Sequence, residues 1–139
     1  MPINPSSFSR VRLTVTDIGR SRAFYDAVFG LPVAIEMPPD ADAVTRERFA
    51  FLFGGLLYRI GDAMLGLRPA APGEDRFDED RVGLDRLSFA AVGRNDLERA
   101  VEGLDVLGVV HEPIKDIGTA WILEFRDPDN IALGLFAMK

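Results

Sequence analysis

The chain has no cysteine, one histidine and one tryptophan in 139 residues. Without thiols there is no disulfide, no cysteine nucleophile and no iron–sulfur cluster. A single imidazole cannot supply a three-His or His/Cys zinc site from one chain, nor a two-His, one-carboxylate iron site. Basic residues are also outnumbered, 16 Lys and Arg against 22 Asp and Glu, for a formal charge of −6. That balance is the opposite of the basic footprint a nucleic-acid surface needs. No apolar run approaches the roughly 20 residues of a membrane helix. The opening Met1-Pro2-Ile3-Asn4-Pro5-Ser6-Ser7 has neither the basic end nor the apolar stretch of a secretory signal. These absences lead to the expectation of a soluble, cytoplasmic protein with no nucleic-acid or membrane partner. Hard-cation binding by carboxylates, metal-free chemistry and binding without chemistry are left.

What is present is 47% hydrophobic residues, enough for a core in one domain or two fused small modules. From Arg10 to Thr16 apolar and polar residues alternate, which predicts a half-buried strand with Val11, Leu13 and Val15 on one face and Arg10, Arg12, Thr14 and Thr16 on the other. Asp17 is placed to cap a helix striped by Phe24, Tyr25, Val28 and Phe29 and ended by Gly30. Residues 49 to 68 read as strands broken at Gly54-Gly55 and Gly61-Asp62. The stretch 69–83, rich in Pro, Gly and acids, reads as a linker.

The pattern then restarts. Asp85 to Ala90 predicts a strand, and Asn95 with Glu98 a capping box for a helix bearing Leu97, Ala100, Val101, Leu104 and Leu107 and stopped by Gly108. Ala120–Phe125 and Ile131–Phe136 predict strands joined by an Asp127-Pro128-Asp129-Asn130 turn. A strand, a helix and a run of strands, twice over, form an internal repeat. Arg10-Val11-Arg12-Leu13 matches Arg86-Leu87-Ser88-Phe89, and Met64-Leu65-Gly66-Leu67 matches Ala132-Leu133-Gly134-Leu135.

With these pieces in place the sequence resembles the vicinal oxygen chelate (VOC) superfamily, the glyoxalase/bleomycin resistance protein/dioxygenase group. The likeness runs from about residue 8 to 137. It is carried by Leu13-Thr14-Val15-Thr16-Asp17, Ser21-Arg22-Ala23-Phe24-Tyr25, Phe29-Gly30-Leu31 and Phe125-Arg126-Asp127-Pro128-Asp129-Asn130-Ile131-Ala132-Leu133. The resemblance implies an α+β fold of two tandem βαβββ modules whose curled mixed sheets surround a cleft. Residues 1–139 then form a single VOC domain, with modules at 8–68 and 84–137 and the linker 69–83 between them. It also implies a homodimer.

Enzymes of the resembled group hold a divalent metal with His or Glu near the first and last strand of each module. Carried over, the His positions fall on Arg10 and Arg86, and the Glu positions on Gly66 and Gly134. Arginine only donates and glycine has no side chain, so the expected cofactor is none and the expected metal site is none. His111 lies away from the matched positions, and the bland reading makes it a partly exposed residue at a strand start.

Strand parity turns the four positions into a candidate ligand lining: Arg10, Arg12, Met64, Gly66, Arg68, Arg86, Ser88, Gly134 and Phe136. Trp121 joins them as an aromatic that could stack on a planar ligand. Two positive charges about 6 Å apart repel by roughly 3 kcal/mol at an effective dielectric near 20, so such arginines need an anion or protein carboxylates. Glu36, Glu112 and Glu124 are the internal candidates, and arginines near strand ends also snorkel to water. The glycines read equally as kinks where sheets curl. The functional expectation is a metal-free binder of a small anionic or polar organic molecule, in a sequestration or resistance role. The alternatives are a metal-independent isomerase, cyclase or lyase needing a proton acceptor from Glu36, Glu124, Tyr58, Tyr25 or His111, and a metal-dependent lyase or dioxygenase with displaced carboxylate ligands.

Overall fold

The computed structural model describes Met1–Lys139. The chain divides into two compact units, Met1–Glu74 and Asp75–Lys139. The first contains strand β1 (Arg10–Thr14), helix α1 (Ile18–Phe29), β2 (Val33–Glu36), helix α2 (Ala43–Arg48), β3 (Leu56–Ile60) and β4 (Ala63–Arg68). The second contains β5 (Leu87–Ala91), helix α3 (Arg94–Leu107), β6 (Lys115–Asp116), β7 (Ala120–Arg126) and β8 (Ala132–Met138). Each unit is one mixed sheet of four strands, ordered β1-β4-β3-β2 and β5-β8-β7-β6. The first and last strands of each unit pair in parallel, which only a crossover through the helix permits. The fold is therefore α+β, with the βαβββ order repeated.

The register places the repeat residue for residue. Arg12 pairs with Gly66 and Ser88 with Gly134. On the antiparallel side Leu57 pairs with Gly66 and Glu124 with Gly134. Arg12 is thus the structural counterpart of Ser88, and Leu57 of Glu124.

In the first unit α1 starts where Asp17 accepts the Arg20 backbone N–H at 3.0 Å and ends where Gly30 turns left-handed at φ 59°. Its core face meets the sheet side carrying Leu13, Leu56, Tyr58, Leu65 and Leu67, all buried. Tyr58 donates to Asp26 on α1 at 2.8 Å, and burial followed by that carboxylate pushes its phenol pKa up. Arg22 reaches from α1 to Glu36 at 2.6 Å.

One segment departs from the sequence reading. Residues 49–53 are not a strand: Phe49 closes α2, and Ala50–Leu52 form a short 3-10 turn. Asp42 caps α2 by accepting the Thr45 N–H at 2.8 Å, a signal hidden before a short polar helix. The aromatic run Phe49-Ala50-Phe51-Leu52-Phe53 has strand composition. Its backbone is turned by Phe53 at φ 53° and Gly54 at φ 83°.

In the second unit the N-cap of α3 is Gly93 rather than Asn95, and Asp96 in its first turn accepts from the Val92 N–H at 3.0 Å. No side chain caps α3, so the capping box expected of Asn95 and Glu98 is absent, and Glu98 accepts from Arg94 instead. The Asp127 carboxylate accepts from the backbone of Asp129 and Ile131 at 2.9 and 2.8 Å, closing the turn between β7 and β8 with Asn130 at φ 69°. Part of the 69–83 stretch is tied to this turn. Arg126 forks onto both Glu79 carboxylate oxygens at 2.8 and 2.6 Å, and Asn130 donates to the Phe77 carbonyl at 3.1 Å. The Arg126 bond holds the Glu79 carboxyl down to about 2.

Candidate functional site

The first unit gathers Arg10, Arg12, Met64, Gly66 and Arg68 on the sheet face opposite α1. A β-carbon at Gly66 would stand 2.8 Å from Arg12 Cγ and 2.5 Å from Leu57 Cδ2, so the Arg12 stem lies across this glycine. Arg10 shares the face by alternation along β1, and Met64 and Arg68 by alternation along β4. The space that Gly66 leaves is filled by Arg12 and Leu57.

The turn at residues 50–54 supplies the rest. Arg12 Nη2 donates to the Phe51 carbonyl at 2.6 Å, and its guanidinium stands 5.7 Å from the Phe51 ring centre. The Arg68 guanidinium lies over the Phe53 ring at 4.1 Å. Both rings are exposed, Phe51 at 40% and Phe53 at 57%. Arg12 Nε is buried without an acceptor. Burial first, then the charges of Arg68 and Arg10, push the Arg12 pKa below its ordinary value. Glu36 does not relieve this cluster, because it is spent on Arg22. Phe51 and Phe53, assigned to strands from sequence, reach the arginines from a turn instead.

The matching face of the second unit is neutralised. Arg86 Nη1 lies 3.4 Å from Glu124 Oε2. A β-carbon at Gly134 would meet Ser88 Oγ at 3.4 Å and Arg86 Cδ at 3.6 Å, which puts Arg86, Ser88, Gly134 and Glu124 together. Phe136 shares that face, paired with Ile122 and Ala90. Trp121 does not join them. Its register partner is Ala137, so it sits with the core residues Leu123 and Phe125 on the other side of the sheet. Lys139 Nζ stands 5.3 Å from its ring centre.

His111 bridges to Phe125 at the sheet edge. With Arg86, Glu112, Glu124 and Arg126 it lines a recess of about 120 Å3. Its Nδ1 meets the Glu112 carbonyl at 2.8 Å and its Nε2 the Asp105 carboxylate at 2.7 Å. Both partners are acceptors, so the doubly protonated ring satisfies both. The Glu112 carbonyl, then Asp105, raise the imidazole pKa. A raised folded value means stabilisation that is complete below the unfolded value near 6.5 and is lost as pH rises through the folded one. We expect the Tm of the native chain to fall between about pH 6 and pH 8 relative to His111→Gln. Parallel Tm curves for the two proteins across that range would refute this account.

Among the other acceptors considered from sequence, Tyr58 and Glu36 are bound to α1 residues and Tyr25 is buried in the core. Glu124 stands on the glycine face of its sheet, beside Ser88 and Arg86.

Two mixed sheets of four strands, each in βαβββ order, define a class of protein. The chain belongs to the glyoxalase/bleomycin resistance protein/dioxygenase superfamily, whose family model matches residues 7–135. Among solved structures, a glyoxylase/bleomycin resistance protein/dioxygenase domain from Frankia sp. EAN1pec is 29% identical, with a TM-score of 0.77 over 98% of this chain and 94% of that one. A lactoylglutathione lyase from Agrobacterium tumefaciens is 20% identical, with a TM-score of 0.70 over 96% and 94% of the two chains. The fosfomycin resistance protein FosX from Listeria monocytogenes is 17% identical, with a TM-score of 0.72 over 98% and 94%. These last two likenesses are likenesses of fold. The search of curated proteins gave no match.

The divalent metal implied by the family does not fit these residues. Gly66 has no room for a carboxylate beside Arg12 and Leu57. No three His, Cys, Asp or Glu side chains converge to hold an ion. A cation would meet guanidinium groups where its ligands should be. No helix is long and apolar enough to cross a membrane.

Proposed function

We propose that the protein binds a small anionic organic molecule without a metal, in a sequestering role, through Arg10, Arg12 and Arg68. The observation that supports this reading most is the Arg12 guanidinium: buried at Nε with no acceptor, and crowded by two like charges with no carboxylate bound to it. Like charges crowded together without a carboxylate cost the folded chain, whereas an incoming oxyanion supplies the counter-charge. Arg86, Ser88, Gly134 and Phe136 are the corresponding surface of the second unit, where Glu124 already supplies the counter-charge. A cytoplasmic homodimer belongs to the same proposal and rests on family likeness.

The test is thermal stabilisation by a panel of carboxylates, phosphonates and phosphate esters, with and without EDTA and with added Mn, Ni or Zn. Stabilisation by an anion should persist in EDTA, and Arg68→Ala should weaken that anion at least tenfold, about 1.4 kcal/mol. Stabilisation by micromolar metal that chelation abolishes, with no response to any anion, would overturn the proposal.

A further inference from the structure

We infer that the anion recognised by the first unit is a planar aromatic carboxylate, an inference that rests on the anion-binding reading and specifies its ligand. Three features of the 50–54 turn carry it. The first is the stack of Arg68 on Phe53 at 4.1 Å. The ring holds the guanidinium in place through cation–π attraction without using its N–H donors on an acceptor, so they are left for a carboxylate. The second is Arg12, whose guanidinium is held in place beside Arg68 by the bond from Nη2 to the Phe51 carbonyl.

The third is the exposure of the rings themselves. Phe53 adopts φ 53°, a conformation rare for an aromatic residue, and its neighbour Gly54 follows at φ 83°. That backbone holds Phe53 out of the core, while Leu52 beside it is fully buried. Phe51 is likewise turned outward. Two exposed aromatic rings beside two guanidinium groups match a ligand with a flat apolar body and a carboxylate at one end. A compact inorganic anion would use the fork and leave both rings bare. A saturated carboxylate would cover the rings without stacking.

The experiment is calorimetric titration of the full chain with 2-naphthoate, with its saturated twin decalin-2-carboxylate, and with inorganic phosphate. The two carboxylates have the same charge and nearly the same bulk, and the saturated one is the more apolar. Naphthoate should bind at least tenfold tighter than decalin-2-carboxylate. In Phe53→Leu that ratio should fall to about one, and Phe53→Tyr should restore it. Equal binding of the two carboxylates by the native chain overturns the aromatic assignment and leaves the anion proposal standing. If none of the three probes binds and no other anion does, both readings fall. Should Phe53→Leu not fold, judged by far-ultraviolet circular dichroism, the ratio in the native chain and in Phe51→Leu decides the matter.

Discussion

Replacing Gly55 by alanine is expected to destabilise the protein by about 3 kcal/mol or more, a fall in Tm of roughly 10 °C. A β-carbon there would overlap the Leu67 carbonyl oxygen and stand 2.9 Å from its carbonyl carbon and 3.0 Å from the Leu52 oxygen. All three neighbours are backbone, so no side chain can swing aside. The Gly55 N–H also donates to the Leu52 carbonyl at 2.8 Å, which ties the 3-10 turn to the start of β3. Relieving the overlap therefore moves the turn, and with it the Phe51 carbonyl that holds Arg12. Gly54 next to it makes a useful control. It has open space around it and only its positive φ to lose, so Gly54→Ala should cost less. Denaturant titration of both variants checks the ordering, and a Gly55→Ala protein within 1 kcal/mol of the native chain would rule out this packing.

The second large effect is on binding. Arg12→Met should reduce anion affinity at least tenfold while leaving the Tm of the unliganded protein equal or higher. Methionine keeps an unbranched stem over Gly66 and against Leu57. The substitution removes a buried N–H that has no acceptor and a positive charge repelled by Arg68 and Arg10. It loses the bond to the Phe51 carbonyl, an exposed contact of modest worth. A depressed arginine pKa costs stability wherever the group is charged, and arginine is charged throughout the usable range, so the gain should not vary between pH 5 and pH 9. Calorimetry with the anion and melting without it separate the two effects. A large fall in Tm with affinity unchanged would make Arg12 a structural residue.

The sequence made the repeat legible because short, strongly patterned segments carried it. The alternation from Arg10 to Thr16 placed β1, and the Asp17 and Gly30 caps bounded α1. The two Leu-Gly-Leu motifs fall at the same register position in each sheet. The face shared by Arg10, Arg12, Met64, Gly66 and Arg68 was legible too, because the family resemblance set Arg10 and Gly66 on one face and period-two parity within each strand added the others. What parity within a strand cannot give is the register between strands. Trp121 was misplaced for that reason, and the pairing of Arg86 with Glu124 was one of several options until β7 was set against β8. The 49–53 run was misread because its aromatic composition favours a strand, while the backbone of Phe53 and the close approach of Gly55 to Leu67 decide otherwise. The contact of Arg12 with Phe51 spans 39 positions and depends on that turn, so nothing local announced it.

Leu57 and Glu124 occupy one and the same place in the two copies of the module, each directly across from the glycine of the closing strand. The difference at this place coincides with a difference in charge balance between the two halves. Where the residue is a glutamate, the neighbouring arginine is satisfied from within. Where it is a leucine, the arginines stay in want of a partner. The acid or hydrocarbon at this cross-strand position acts together with the added helix and turn between β2 and β3, and with the exchange of Arg12 for Ser88, in setting the charge balance of the two halves.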